Sequence, residues 1–195
     1  MKKYDPEKMI AKSRFRDYYA AWEPNDKLRL ISRMSQLLEE NSEYADPSNY
    51  EHMCNLITAL AMEQTLEENG KPRKEAQETV ANAMYDFLKP MVPKMQKLAS
   101  HGWFVRALKI IMPIKFGKGR GWDVEFPKCP GDTYSMITHR CIYHDIFSRY
   151  GMSEFTAIFC QVDDMMYSAL PRAEFIYTQQ IGRGGDMCDY SFRKR

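Results

Sequence analysis

The last third of the chain concentrates the side chains that can do chemistry. Cys160 is followed by Asp163 and Asp164 at i+3 and i+4 in a segment of helical periodicity, so a thiol and two carboxylates can share one helix face. Cys188 opens the triplet Cys188-Asp189-Tyr190, on a run whose alternation places Cys188, Tyr190 and Phe192 on one face of a strand. Cys141 follows His139-Arg140 at a strand-to-helix junction, where a helix N-terminus and a nearby cation both favour a thiolate. A thiol near acid and base is the raw material of nucleophilic catalysis or of a metal site. The competing reading at each position is a packed, inert cysteine. Two successive aspartates in a helix interior are locally unfavourable, and such conflicts are often found at functional sites. The metal signal is weak, because the sequence has no Cys-x-x-Cys or His-x-x-x-His pair. Neither a metal nor a cofactor is therefore expected. Cys54 reads as helix core and Cys129, between Pro127 and Pro130, as a loop residue.

The elements that must position these groups change character along the chain. Asp5-Pro6-Glu7 is a helix start, and Met9, Tyr18, Tyr19 and Trp22 give that helix an apolar, largely aromatic face. Pro24-Asn25 breaks it. Leu28, Ile31, Met34, Leu37 and Leu38 mark a second helix. Asp46-Pro47-Ser48 opens a third, with Met53, Ile57, Leu60 and Ala61 at helical spacing, closed by Gly70 and Pro72. A fourth runs from Arg73 to Leu88, and Trp103 to Met112 continues helically after Pro90 and Pro93. Lys115 to Gly121 is a Gly/Lys/Arg loop without P-loop spacing and reads as a flexible connection. Beyond it, Trp122, Val124 and Phe126 alternate with acids as a half-buried strand, and Thr133 to Arg140 is a second strand. Cys141 to Tyr150 is a short helix stopped by Gly151. Ser153 caps a further helix to Ser168. Ala173 to Ile181 and Asp186 to Arg193 are strands joined by the hairpin signal Gly182-Arg183-Gly184-Gly185. The expected fold class is α+β: a helical N-terminal half, then a small antiparallel sheet with two packed helices. One domain is expected, with residues 1–114 mainly helical and residues 115–195 carrying the site.

Composition excludes several classes. Of 195 residues, 44% are apolar and 28% charged, ordinary for a globular protein, and the net charge of +2 with scattered basic residues implies no nucleic-acid partner. The first residues, Met1-Lys2-Lys3-Tyr4-Asp5-Pro6, precede no apolar run of a signal peptide, and no stretch approaches a membrane-spanning length. A cytoplasmic location follows as the expectation. Five cysteines without a disulfide spacing then read as free thiols, ligands or catalysts. The fourteen methionines read as adaptable core filler.

From about Ile137 to Phe192 the chain resembles the C-terminal half of the L-2-amino-thiazoline-4-carboxylic acid hydrolase family. The residues that carry the resemblance are Arg140-Cys141 followed by Tyr143, the Cys160-x-x-Asp163 helix, Thr178-Gln179, and Cys188-Asp189-Tyr190 before Phe192. The resemblance implies a hydrolase that opens a small cyclic amidine or thiazoline-like ring by attack at its amidine-like carbon and loss of the ring sulfur. It implies Cys160, Asp163 and Cys188 as catalytic residues, with Cys160 the nucleophile and Asp163 its base or orienter. It further implies substrate contacts from Arg140, Cys141, Thr178, Gln179 and Asp189, with Arg140 as a fork for a substrate carboxylate. Tyr177 and Ser191 stand where family members often carry arginine, which removes two anion contacts. The expected partner is a small-molecule substrate, and a homo-oligomer is compatible with this reading. The same arrangement more faintly resembles small-molecule sensor domains of the vinyl-reductase type. Those bind apolar ligands and can hold zinc, but Gln180 stands here where such a site needs a cysteine. A non-enzymatic sensor is the alternative function.

Overall fold

A computed structural model describes residues 4–116 and 119–195. Met1 to Lys3 of the N-terminal reading, and Gly117 and Lys118 of the Gly/Lys/Arg loop, lie outside the described residues. The chain forms two compact units that divide between Lys89 and Pro90.

The first unit is helical. Asp5 accepts from the Lys8 amide and starts α1, Pro6–Lys12, with proline in the first turn. The single helix expected to reach Trp22 is instead two. Buried Ser13 ends α1 by returning its hydroxyl to the Ile10 carbonyl and accepting from the Phe15 amide, and α2 spans Arg16–Ala20. A serine that bonds its own backbone competes with the helix ladder, which periodicity alone does not register. Pro24 opens α3, Pro24–Glu40, which buries Leu30, Met34 and Leu37 and leaves Leu28 exposed. Asp46 caps a 3-10 turn at Pro47–Asn49 that leads into α4, Tyr50–Glu68. Helix α4 is buried all round and packs against α1, α3 and α5, Arg73–Leu88, as an apolar helix without a polar face must. Cys54 is completely buried on it. Its buried Glu63 faces the Arg73 guanidinium at 3.8 Å.

The second unit is α+β. Helices α6, Val92–Ala99, and α7, Phe104–Lys115, precede β1, Asp123–Glu125, and β2, Thr133–Arg140. Then follow α8, Ile142–Arg149, α9, Ala157–Tyr167, β3, Ala173–Ile176, and β4, Cys188–Lys194. The sheet is antiparallel in the order β1-β2-β4-β3. Its register sets Tyr134 opposite Phe192, Met136 opposite Tyr190 and Thr138 opposite Cys188. Alternation puts these residues on one face, where Phe104, Val105 and Leu108 of α7 meet Tyr134, Met136 and Phe192 in a common core. Ser153 belongs to a 3-10 turn, Ser153–Thr156, and makes no side-chain cap for α9. Strands β3 and β4 do pair, but a 3-10 turn at Ile181–Arg183 stands between them in place of a tight glycine hairpin. Gly184 ends that turn at φ +86°, a left-handed conformation that favours glycine.

Candidate functional site

Helix α9 and strand β4 bring the chemistry-bearing side chains together. Cys160 and Asp163 are one helical turn apart on α9, as their spacing requires. Cys188 and Tyr190 leave β4 on its helix-covered face. The turn between β3 and β4 binds the two sets. Its Ile181 amide donates to Cys188 Sγ at 3.3 Å, and its Gly182 amide donates to the Cys160 thiol. Gly182 is required there, because a Cβ at that position would stand 2.7 Å from Cys160 Sγ and 2.8 Å from Thr156 Cγ2.

Tyr190 is the hub of the cluster. Its hydroxyl donates to Asp163 Oδ2 at 3.1 Å and accepts from Gln180 Nε2 at 3.0 Å. Burial, then the neighbouring Asp163, Cys188 and Cys160 charges, push the Tyr190 phenol far above its ordinary value, so it stays a proton donor. Gln180 is 2% exposed, and its Oε1 has no hydrogen-bond partner among the described residues. Thr156 Oγ1 beside the cluster is likewise buried and unpartnered among them. Sequence reasoning missed Tyr190 and Gln180 as site residues. Tyr190 carried a signal, since it shares the strand parity of Cys188. The position of Gln180 carried one too, since the sensor-domain resemblance expects a cysteine there.

All three thiols of this region are electrostatically linked. Burial pushes Cys160 up to about 12, with the Cys188 and Asp163 charges adding to the rise and Arg183 and the Gly182 amide opposing it. Cys141 lies at the N-terminus of α8, where the His144 and Tyr143 amides lower its pKa, yet burial outweighs them and pushes it up to about 12. The thiolate that a helix start can favour is therefore disfavoured at Cys141. Burial also raises Cys188 against the donors Ile181 and Tyr190. Each thiol is protonated at neutral pH, and a bare anion on any one disfavours it on the others. Among the described residues no group of three or more His, Cys, Asp or Glu side chains is placed to hold a metal ion.

Three of the remaining sequence candidates, Thr178, Gln179 and Asp189, sit outside the cluster. Asp189 has the opposite strand parity from Cys188 and Tyr190, so it faces away from the cluster. Its carboxylate accepts from the Thr178 amide at 2.8 Å, the Thr178 hydroxyl at 2.5 Å and the Gln179 amide at 3.0 Å. Burial alone would raise Asp189, but these bonds outweigh it and hold the carboxyl below its ordinary value. Gln179 Oε1 in turn accepts from the Asp186 amide at 2.9 Å. Thr178, Gln179 and Asp189 thus form a clamp that fixes the connection carrying Ile181 and Gly182. Arg140 ends β2 with its Nε donating to Asp145 Oδ2 at 2.6 Å.

A second polar network flanks the cluster. Arg183 donates to Asp164 Oδ2 at 2.6 Å, to Gln161 Oε1 at 3.0 Å and to the Tyr177 hydroxyl at 2.8 Å, while Tyr177 donates to Asp164 Oδ1 at 2.8 Å. Tyr177, where an arginine was expected by resemblance, thereby fixes an arginine six positions on. Asp164, the second acid of the α9 pair, holds this guanidinium, which accounts for its unfavourable helix position.

The family model described as L-2-amino-thiazoline-4-carboxylic acid hydrolase matches residues 50–192, most of the chain. No curated protein matches. Two solved structures align with it. One is the Fe(II) unliganded H-NOX protein from K. algicida, 12% identical over 85% of this chain and 95% of that one, with a TM-score of 0.28. The other is a point mutant of the same protein at the same identity and coverage, with a TM-score of 0.26. Likeness at that level carries no argument.

Proposed function

The chain belongs to the L-2-amino-thiazoline-4-carboxylic acid hydrolase family, and from that premise we propose that it opens a small cyclic amidine or thiazoline-like substrate by hydrolysis, with Cys160 as nucleophile and Asp163 as base. The observation that carries the reading is the contact of one proton-relay group, the Tyr190 hydroxyl, with Asp163 and Gln180 beside two thiols held by successive backbone amides.

The raised thiol pKa shapes the mechanism. A site that disfavours an anion on Cys160 is activated by a cation, and a cyclic amidine enters as its amidinium. Its positive charge lowers the cost of the thiolate, and Asp163 takes the thiol proton. Sγ then bonds to the amidine carbon as the bond from that carbon to the ring sulfur breaks. The leaving sulfur takes the proton of the Cys188 thiol, and the proton held on Asp163 returns through Tyr190 to Cys188, which restores both groups. The resulting isothiourea on Cys160 is attacked by water at the same carbon. That carbon keeps the water oxygen as a carbonyl, Asp163 carries one water proton to the departing Cys160 sulfur, and the proton the amidinium brought is released to solvent. Arg140, oriented by Asp145, takes a substrate carboxylate, while Cys141 walls the site. Thr178, Gln179 and Asp189 act by positioning the turn.

The test is a ring-opening assay on L-2-amino-thiazoline-4-carboxylate and related cyclic amidines, with Cys160→Ala and Asp163→Asn as controls. Turnover that falls at least about a hundredfold in either folded variant is expected for a nucleophile and a general base. Unchanged kinetics in both variants would sink the assignment. Absence of turnover, with an apolar ligand retained through purification, would favour the sensor reading instead.

A further inference from the structure

Helix α7 has two apolar faces. Phe104, Val105 and Leu108 enter the core against the sheet. On the other side, Trp103, Ala107, Ile110, Ile111 and Ile114 recur at helical spacing. That second stripe is uncovered: Trp103 is 51% exposed, Ile110 69%, Ile111 46% and Ile114 64%. Leu98 on α6 is 41% exposed as well. These five account for all but one of the chain's large exposed apolar side chains among the described residues. Clustering on that scale marks an interaction surface.

The charge around the stripe says what would cover it. From Pro90 to Trp122 the chain carries seven lysines and arginines and not one aspartate or glutamate, although the rest of the chain is net acidic. Lys94 and Lys97 on α6 are exposed. Arg106 pairs with Asp132 at 3.5 Å and Lys109 donates to the Cys129 and Pro130 carbonyls, but in a two-fold dimer through this face each copy would still present the same net-basic segment to the other, which like-charge repulsion opposes. A wide anionic surface with an apolar layer beneath it satisfies both features: the basic groups meet the head groups while isoleucines and an interfacial tryptophan enter the acyl boundary.

We propose that the exposed face of α7 docks the protein on the surface of an anionic phospholipid bilayer. The chain lies on the membrane and does not span it, since among the described residues no helix is long and apolar enough to cross. The proposal is independent of the catalytic reading.

The experiment is flotation of the full chain with vesicles of pure phosphatidylcholine and of equimolar phosphatidylcholine and phosphatidylglycerol, followed by tryptophan emission and sedimentation. The Ile110→Ser/Ile114→Ser variant alters only side chains already in solvent, and thus keeps the fold. Expected are binding to the anionic vesicles that weakens with salt, a blue shift of tryptophan emission, and a loss of about tenfold or more in partitioning for the variant. The proposal falls if the anionic vesicles do not bind the chain or if the variant binds equally well. It falls equally if the lipid-free chain is a dimer that the variant makes monomeric, because the face then belongs to a second copy.

Discussion

Raising the pH past the ordinary thiol range isolates what the fold does to Cys160. An ordinary value of 9.0 is pushed to about 12, chiefly by burial. Three units at about 1.36 kcal/mol each disfavour the thiolate by about 4 kcal/mol relative to the unfolded chain, and the thiolate fraction near neutral pH falls about a thousandfold. Because the folded value lies above the unfolded one, the corresponding stability is complete below about pH 9 and is lost as pH rises towards about 12. Alkylation by iodoacetamide, with each cysteine followed by peptide mapping, reads the ionisation directly. In the native protein the Cys160 rate is expected to climb about tenfold per pH unit well beyond pH 9, whereas in the denatured chain it levels near the ordinary thiol value. Slow access alone would reduce the rate without moving the levelling point, so the profile separates burial of charge from burial of the atom. The urea midpoint should fall over the same alkaline window, and Cys160→Ser should remove part of that fall. Levelling of the native profile at or below pH 9 would refute the reasoning, and with it the claim that a cationic substrate activates the nucleophile.

Two further perturbations test the turn that joins the catalytic elements. Gly182→Ala puts a methyl group 2.7 Å from Cys160 Sγ, and the overpacking should cost about 1–3 kcal/mol in denaturant unfolding. Activity should fall by more than stability accounts for, because the Gly182 amide must withdraw from the thiol; full activity in a destabilised variant would contradict the contact. Asp189→Asn removes the charge that three donors hold and should cost about 1–3 kcal/mol. Since the folded Asp189 carboxyl lies below its ordinary value, the wild-type contribution is present above the ordinary carboxylate range and is lost as pH falls through the folded value, while the variant lacks that acid dependence in a thermal-melt series.

Local grammar carried much of the architecture. The Asp5-Pro6 and Asp46-Pro47 starts cap helical turns, helix α5 spans Arg73–Leu88, and β2 spans Thr133–Arg140, because caps, breakers and alternation act within a few residues. The failures share one cause: competition the pattern does not see. Ser13 splits the first helix through a local side-chain bond. Leu28 has the right spacing for a core but lies in solvent, and Leu30 takes the buried place. The helical reading of Trp103 to Met112 names no buried face, and only packing reveals which of the two apolar faces of α7 the sheet covers.

For the site, the sequence by itself determined that Cys160 and Asp163 share a helix face and that Cys188 and Tyr190 share a strand face, since the periods of helix and strand are properties of the backbone. Tertiary structure alone decided that those two faces meet, that Gln180 and the Gly182 amide join them, and that Asp189, on the opposite strand face, clamps the connection. It also decided the state of the thiols. Sequence context around Cys141 offers a helix start, amide donors and an adjacent arginine, all of which favour the thiolate, while Cys160 gains the Gly182 amide and Arg183 only in the folded chain. Desolvation outweighs them, and desolvation depends on how many distant segments close over an atom, a quantity no local pattern contains.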